Sequence, residues 1–130
     1  MKSRPLEIKA LEFFRSLGAK QFLVAVSGGV DSMALAHVCA NLKNKVPGKF
    51  VIAHIHHGRR GNASFRNKAQ KFVQDFCKKN ELDFVTNPSG NAESDSESDL
   101  RKFRLTELKK LKEQTNSDYV VFAHHADDLL

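Results

Sequence analysis

The sequence has few cysteines and no long apolar run, and both shortages limit what the protein can be. Its 130 residues include two cysteines, Cys39 and Cys77, and no Cys-x-x-Cys pair, which excludes a zinc ribbon or a dithiol redox centre. No apolar stretch approaches the ~20 residues that a membrane span needs. The chain starts with a charged amphipathic segment, which is unlike the apolar core of a signal peptide. We therefore expect a soluble cytoplasmic protein with no membrane association and with two buried thiols.

The amino-acid composition predicts one domain with its own hydrophobic core. Hydrophobic residues make up 41% of the chain and include ten phenylalanines, enough for a core without disulfides or a structural metal. Lysine and arginine number 21 against 15 acidic residues, a formal charge of +6. This excess favours polyanionic partners if the charges cluster on one face.

Hydrophobic periodicity predicts helices and strands in alternation. An amphipathic helix is expected first, ending near Gly18. Short apolar runs, too brief for helices, predict buried strands at residues 21–26, 50–55, 82–86 and 119–123. Helices are expected between them, over residues 31–43, around 65–76 and over about 97–113. The alternation predicts a three-layer α/β/α fold with a parallel sheet of at least four strands.

Two further expectations concern particular segments. The third predicted helix has one apolar face, formed by Phe65, Ala69, Phe72, Val73 and Phe76. The polar, acidic and serine-rich stretch at residues 87–99 predicts a mobile loop.

Three polar clusters each come directly after a predicted strand. They are Ser27-Gly28-Gly29-Val30-Asp31-Ser32, His54-Ile55-His56-His57-Gly58 and His124-His125-Ala126-Asp127-Asp128. Ligands of parallel α/β sheets bind at the carboxyl ends of the strands. We therefore expect all three clusters to line one rim of the sheet.

The first cluster has the residue types of a phosphate-binding loop. Gly28 and Gly29 permit positive φ and close backbone approach, and Ser27 and Ser32 add hydroxyl groups beside the start of a helix. The Walker lysine is missing, so P-loop transfer of a γ-phosphate is not expected. A plain turn with Asp31 as a helix cap is the simpler alternative, but the six residues in a strand–turn–helix context favour nucleotide binding.

These segments resemble a known family. Residues 27–32 resemble the PP-loop, SGGxDS, of the ATP pyrophosphatase superfamily, whose members cleave ATP between the α and β phosphates. Residues 54–60 with Ser64 are similar to the HVNHGLRxxS segment of tRNA(Ile)-lysidine synthetases, and residues 124–128 to their HHxDDQxET segment. Glu97, Arg101 and Arg104 fit the family's EAxARxxRY segment. The resemblance implies a Rossmann-like fold of the adenine nucleotide alpha hydrolase type.

The resemblance also implies an activity and its ligands. The C2 carbonyl of the wobble cytidine in the CAU anticodon of an isoleucine tRNA is adenylated by ATP, and the ε-amine of L-lysine then displaces AMP. ATP and Mg²⁺ are the expected cofactors. The ATP site is expected to comprise Ser27, Gly28, Gly29, Val30, Asp31, Ser32, His54 and His56. Asp31 is expected to be catalytic and to lie near the metal and the phosphates.

The remaining catalytic residues follow from the same resemblance. Asp127 and Asp128, beside His124, are expected to hold the lysine ammonium group and to accept its proton. Arg104, or Arg101 one helical turn earlier, is expected to stabilise phosphate charge. Basic residues are also considered for contact with tRNA, namely Arg59, Arg60, Arg66, Lys68, Lys109, Lys110 and Lys112.

The sequence departs from the family pattern at several positions, which are His56, Ser98, Leu100, Leu105 and Leu129. The chain stops at Leu130, so we expect residues 1–130 to be a truncated N-terminal ATP-binding domain without the C-terminal tRNA-binding domains, able to bind ATP but not to modify tRNA alone. A PP-loop tRNA thiolase, a non-catalytic nucleotide-binding module and a histidine-rich zinc site are the alternatives.

Overall fold

The computed structural model describes residues 5–56, 63–88, 94 and 96–123. The elements in chain order are α1 (Pro5–Leu17), β1 (Gln21–Ala25), α2 (Val30–Leu42), β2 (Lys49–His54), α3 (Ala63–Lys79), β3 (Asp83–Thr86), α4 (Glu97–Gln114) and β4 (Tyr119–Phe122). The predicted alternation is confirmed, and each strand lies within one residue of its predicted ends. No helix in the described part of the chain is long and apolar enough to cross a membrane.

The four strands form one parallel sheet in the order β3-β2-β1-β4. In register, Phe22 of β1 pairs with Phe50 of β2 on one side and with Tyr119 of β4 on the other. The chain moves outward from β1 to β2 and β3 and then returns past β1 to β4. The strand order therefore reverses between β1 and β4, which is where open parallel sheets bind their ligands.

Helices cover both faces of the sheet, as the three-layer prediction requires. On one face, Phe14 of α1 makes edge-to-face contacts with Phe22 and Phe50, at ring centroid distances of 4.7 and 4.9 Å. α2 and α3 pack on the same face and bury both cysteines, as predicted. On the other face, Leu108 and Leu111 of α4 pack against a second cluster of sheet residues. Each such large apolar side chain contributes roughly 1.5–3 kcal/mol on burial.

The predicted apolar face of α3 is partly wrong. Phe65 and Phe72 are 71% and 56% exposed, whereas Val73 and Cys77 are buried. The reason lies in the turn after β1, since a Cβ atom at Gly28 would lie 3.6 Å from Cβ of Ala69 and 3.7 Å from a methyl group of Val73. α3 therefore turns its small and medium side chains towards the turn, and the two phenylalanines face outward.

The loop predicted at residues 87–99 is confirmed at its start, where Asn87 and Pro88 lie outside any helix or strand, and is wrong at its end, since α4 begins at Glu97. Asn87 is buried, and its amide accepts a hydrogen bond from the backbone N–H of His56 at 2.7 Å and donates to the His56 carbonyl at 2.9 Å. At the other end, the Ser96 hydroxyl caps α4 by accepting from the N–H of Asp99 at 3.1 Å. Residues 89–93 and 95 lie outside the described residues.

Candidate functional site

The loop between β1 and α2 is folded around the hydroxyl group of Ser32. This oxygen accepts hydrogen bonds from the backbone N–H groups of Ser27 and Gly28, at 3.0 and 3.1 Å, and donates to the carbonyl of Gly29 at 3.2 Å. Ser32 is buried, so its hydroxyl group shapes the loop from within. Gly28 adopts a φ of +97°, in the left-handed region that side chains other than glycine rarely enter.

The same loop presents the start of α2 to the rim of the sheet. Gly29 is the N-cap residue, and no side chain caps the helix at this position. The first turn of a helix carries backbone N–H groups without helical partners and a partial positive charge, so it attracts anions. Ser27, Val30 and Asp31 are exposed around this turn.

A cleft of about 330 Å³ opens beside the loop at the carboxyl end of β1. Its walls are formed by Ala25, Val26, Ser27, Gly29, Val30, Asp31, Ser32, Ala53, Ile55, Arg104, Phe122 and Ala123. The cleft therefore spans the point between β1 and β4 where the strand order reverses. Its floor is apolar, and its polar groups come from the loop on one side and from α4 on the other.

Arg104 is the cation that α4 contributes to the cleft. It precedes Leu108 by one helical turn, so it faces the sheet, and its Nε atom is buried without a hydrogen-bond partner among the described residues. A buried donor left unpaired costs about 1–3 kcal/mol, and more when the group is charged. The guanidinium group also carries the positive charge that the helix contributes to the wall of the cleft. Arg101 is exposed and does not line the cleft, so the structure distinguishes between the two arginines considered from the sequence.

The described histidines of the second cluster do not line the cleft. Side chains alternate along an extended chain, and Ala53 and Ile55 face the cleft, so His54 points to the other side of the sheet. His54 is buried, and its Nδ1 lies 2.8 Å from the carbonyl oxygen of Val26. Burial lowers the pKa of His54, although the hydrogen bond to Val26 opposes this shift. Neutral His54 donates from Nδ1 and holds the end of β2 against β1.

His56 is held by two asparagines that sequence analysis did not identify. Its Nε2 lies 2.7 Å from Oδ1 of Asn67 on α3, and its backbone groups bond to the side chain of Asn87. The structure thus connects His56 to α3 and β3, on the side away from the cleft. Nothing in the sequence distinguishes these two asparagines from ordinary surface residues.

Similarity to known proteins identifies the family of this chain. A family model described as a PP-loop domain matches residues 2–130. The chain belongs to this PP-loop family. The predicted resemblance to PP-loop proteins is confirmed. We refer to Ser27–Ser32, the segment that resembles SGGxDS, as the PP-loop of this chain.

Several curated relatives of this PP-loop chain are named tRNA(Ile)-lysidine synthase. The protein from Bdellovibrio bacteriovorus is 36% identical over 115 residues, which cover 88% of this chain and 35% of the relative. The protein from Clostridium acetobutylicum is 32% identical over 114 residues, covering 83% and 24%. The protein from Streptococcus pyogenes serotype M3 is 32% identical over 123 residues, covering 94% and 27%. The chain thus spans about a quarter to a third of the length of these relatives.

A solved structure shares the PP-loop fold. The U34-tRNA thiolase NcsA from Methanococcus maripaludis, determined with its 4Fe–4S cluster, superposes with a TM-score of 0.72 at 16% identity. The match covers 91% of this chain and 45% of the thiolase. It supports the three-layer fold described above.

Part of the predicted site lies outside the described residues. This part comprises His57, Gly58, Arg59, Arg60, His124, His125, Ala126, Asp127 and Asp128. Within the described ranges, no group of three or more His, Cys, Asp or Glu side chains is placed to hold a metal ion. Asp31 supplies the carboxylate in the described wall of the cleft. One carboxylate suits Mg²⁺, which takes its other ligands from phosphates and water.

The two cysteine thiols lie outside the cleft. Neither Cys39 nor Cys77 lines the cleft, and both are buried. Burial raises the pKa of Cys77 to about 11 and raises that of Cys39 above its ordinary value. Because the thiolate is the reactive form, neither residue is suited to nucleophilic sulfur chemistry.

Proposed function

We propose that the cleft binds ATP and that this chain is the ATP-binding part of a tRNA(Ile)-lysidine synthetase. The observation that carries the proposal is the position of Arg104, which lines the same cleft as the uncapped start of α2 and whose buried Nε has no hydrogen-bond partner among the described residues. Two sources of positive potential in one partly apolar cleft suit an adenine nucleotide with its phosphates. The relatives named tRNA(Ile)-lysidine synthase supply the choice of reaction.

In this proposal the first half-reaction activates the wobble cytidine of the tRNA. The PP-loop amides and the start of α2 hold phosphate oxygens, and Arg104 stabilises the charge that develops on them. Asp31 would hold Mg²⁺, which would supply further charge neutralisation when bound. The C2 oxygen of the wobble cytidine attacks the α-phosphorus, and the bond to the β-phosphate breaks to release pyrophosphate. The products are adenylated cytidine and pyrophosphate.

The second half-reaction attaches lysine. Asp127 and Asp128 hold the lysine ammonium group, and a neighbouring carboxylate or His124 accepts its proton. The neutral ε-amine attacks C2, and the C2–O bond breaks, so that AMP leaves with the former carbonyl oxygen. Lysidine remains in the tRNA.

The experiment that tests the proposal is nucleoside mass analysis of tRNA from cells depleted of the gene that encodes this chain. We expect lysidine to fall and unmodified cytidine to appear in its place. Loss of a thiolated base with lysidine unchanged would contradict the ligase and favour a thiolase, an assignment that the buried Cys39 and Cys77 do not support. If neither nucleoside changes, a nucleotide-binding module is the better description.

A further inference from the structure

The positive charge of the chain is concentrated on α3. This helix carries five basic residues, Arg66, Lys68, Lys71, Lys78 and Lys79, against one acidic residue, Asp75. Its net charge is therefore 5 − 1 = +4, out of +6 for the whole chain. The charge clustering that a polyanion site requires is present on this one element.

The same helix exposes two large aromatic side chains. Phe65 is 71% exposed and Phe72 is 56% exposed. They are seven residues apart, so they lie on one side of α3, two turns and ~10 Å apart along its axis. Lys68 lies between them on that side, and Lys79 continues the row at the same seven-residue spacing. We call these four residues, Phe65, Lys68, Phe72 and Lys79, the α3 stripe.

The α3 stripe begins at the rim that carries the PP-loop. A crossover helix runs antiparallel to its strands, so the N-terminal end of α3 lies near the carboxyl ends of the strands. Two contacts confirm this placement: Asn67 bonds to His56 just beyond β2, and Gly28 of the PP-loop packs against Ala69. The stripe therefore starts at the same rim of the sheet as the PP-loop, on the face opposite α4.

We propose that the α3 stripe binds single-stranded RNA. Aromatic rings that alternate with lysines are what an unpaired strand requires, because bases stack on the rings and phosphates contact the ammonium groups. Both side-chain types are exposed here, and the charge of the helix matches a polyanion. The link from this surface to the tRNA rests on the proposed function; the binding of RNA itself does not.

A second copy of the chain fits this surface less well. A two-fold contact through the α3 stripe would bring Lys68 and Lys79 against the same lysines of the other copy. Two other exposed apolar side chains are aliphatic: Ile8 is 47% exposed on α1, a helix with two basic and two acidic residues, and Leu105 is 44% exposed on α4, one helical turn from Arg101, Lys102 and Lys109. These two residues provide a matched control.

The test is fluorescence anisotropy of the chain with a labelled 12-nucleotide single-stranded RNA of mixed sequence, over a range of salt concentrations. The first variant is Phe65→Ala with Phe72→Ala, and its control is Ile8→Ala with Leu105→Ala. The second is Lys68→Gln with Lys79→Gln, and its control is Lys9→Gln on α1 with Lys102→Gln on α4, two exposed lysines whose replacement removes equal charge. Far-UV circular dichroism checks folding, and ATP binding is titrated in every variant.

We expect the aromatic variant to bind RNA at least tenfold more weakly than wild type, since stacking contributes ~1–3 kcal/mol per base. We expect the lysine variant to lower the slope of log affinity against log salt by ~1.4, for two lost phosphate contacts. The controls should stay within about threefold of wild type, and ATP affinity should not change.

Three results would overturn the RNA site. They are wild-type chain that binds no RNA at low salt, an aromatic variant that binds like its control, and a lysine variant whose loss of affinity equals that of Lys9→Gln with Lys102→Gln. Self-association that disappears in the aromatic variant would instead identify the stripe as a contact between copies. Failure of ATP binding with intact RNA binding would contradict the proposed function and leave the RNA site standing.

Discussion

The hydroxyl oxygen of Ser32 lies 3.1 Å from the backbone nitrogen of Gly28, and this hydrogen bond closes the PP-loop onto the first turn of α2. Gly28 can take part because it adopts a φ of +97°. The loop is therefore shaped before any ligand arrives, and the start of α2 is left open towards the cleft. A preformed anion site of this kind avoids an ordering cost when the ligand binds.

Replacement of Ser32 by alanine should destabilise the chain. The variant removes the acceptor of two backbone N–H groups in a partly buried loop, so we expect the free energy of unfolding to fall by about 1–3 kcal/mol. Urea unfolding measures this change. Ser16→Ala is the control, because Ser16 is exposed and bonds only within its own helix, to the Phe13 carbonyl. An equal effect of the two substitutions would contradict the role given to Ser32.

The two glycines of the PP-loop should respond differently to the same substitution. Gly28→Ser forces a side chain into the left-handed region and should cost about 1–3 kcal/mol of stability. Gly29 has a φ of −75° and a ψ of 172° at the N-cap, where serine is favoured, so Gly29→Ser should leave stability unchanged or raise it. Thermal unfolding of both variants gives the comparison. Equal midpoints would show that the loop does not need its positive φ.

His54 should make the chain less stable in acid. Burial lowers its pKa in the folded chain below the ordinary value of 6.5, so the unfolded chain takes up the proton at a higher pH. The stability that depends on neutral His54 is therefore complete above about pH 6.5 and is lost as the pH falls towards the folded pKa. The loss of unfolding free energy between pH 7.5 and 5.5 should be smaller in His54→Gln. An NMR titration that places His54 above 6.5 would contradict this sign.

The cysteines should resist labelling in the folded chain. With a pKa of about 11, Cys77 is only about one part in 1,000 thiolate at pH 8, and Cys39 is fully buried. We expect a disulfide reagent at pH 8 to react at least 100-fold more slowly with folded chain than with urea-unfolded chain. Glutathione serves as the reference for an open thiol. If the folded chain reacts as fast as glutathione, a thiol is accessible and reactive, and the argument against a sulfur-transfer reaction is contradicted.

The strand and helix pattern was predictable because it depends on local periodicity. A short apolar run such as residues 21–26 predicts a strand without information from the rest of the chain. The glycines of the PP-loop likewise predict a turn, because glycine adopts positive φ readily. The outward position of Phe65 and Phe72 was not predictable from α3 alone, because it depends on the approach of Gly28 to Ala69 from a different part of the chain.

The candidate site was also predictable only where it depends on local sequence. The sequence identified the PP-loop and offered two arginines, since both lie within one turn of α4. Only the packing of α4 on the sheet shows that Arg104 reaches the cleft and that Arg101 does not. His54 ends β2 and His56 lies just beyond it, at the same rim of the sheet as the PP-loop, but the sequence does not reveal which face of the sheet forms the cleft. The two hydrogen bonds between Asn87 and His56, one in each direction, link residues 31 positions apart and leave no local signal.

The most direct test of the account is calorimetric titration of the chain with ATP in the presence of Mg²⁺, for wild type, Arg104→Met and Arg101→Met. We expect Arg104→Met to lose at least tenfold in affinity, because it removes a charge-assisted contact worth about 1.5–3 kcal/mol. Its urea unfolding midpoint should equal or exceed that of wild type, since the substitution also removes a buried, unpartnered nitrogen. Arg101→Met should bind like wild type. Wild-type chain that does not bind ATP, or Arg104→Met that binds it unchanged, would contradict the central claim.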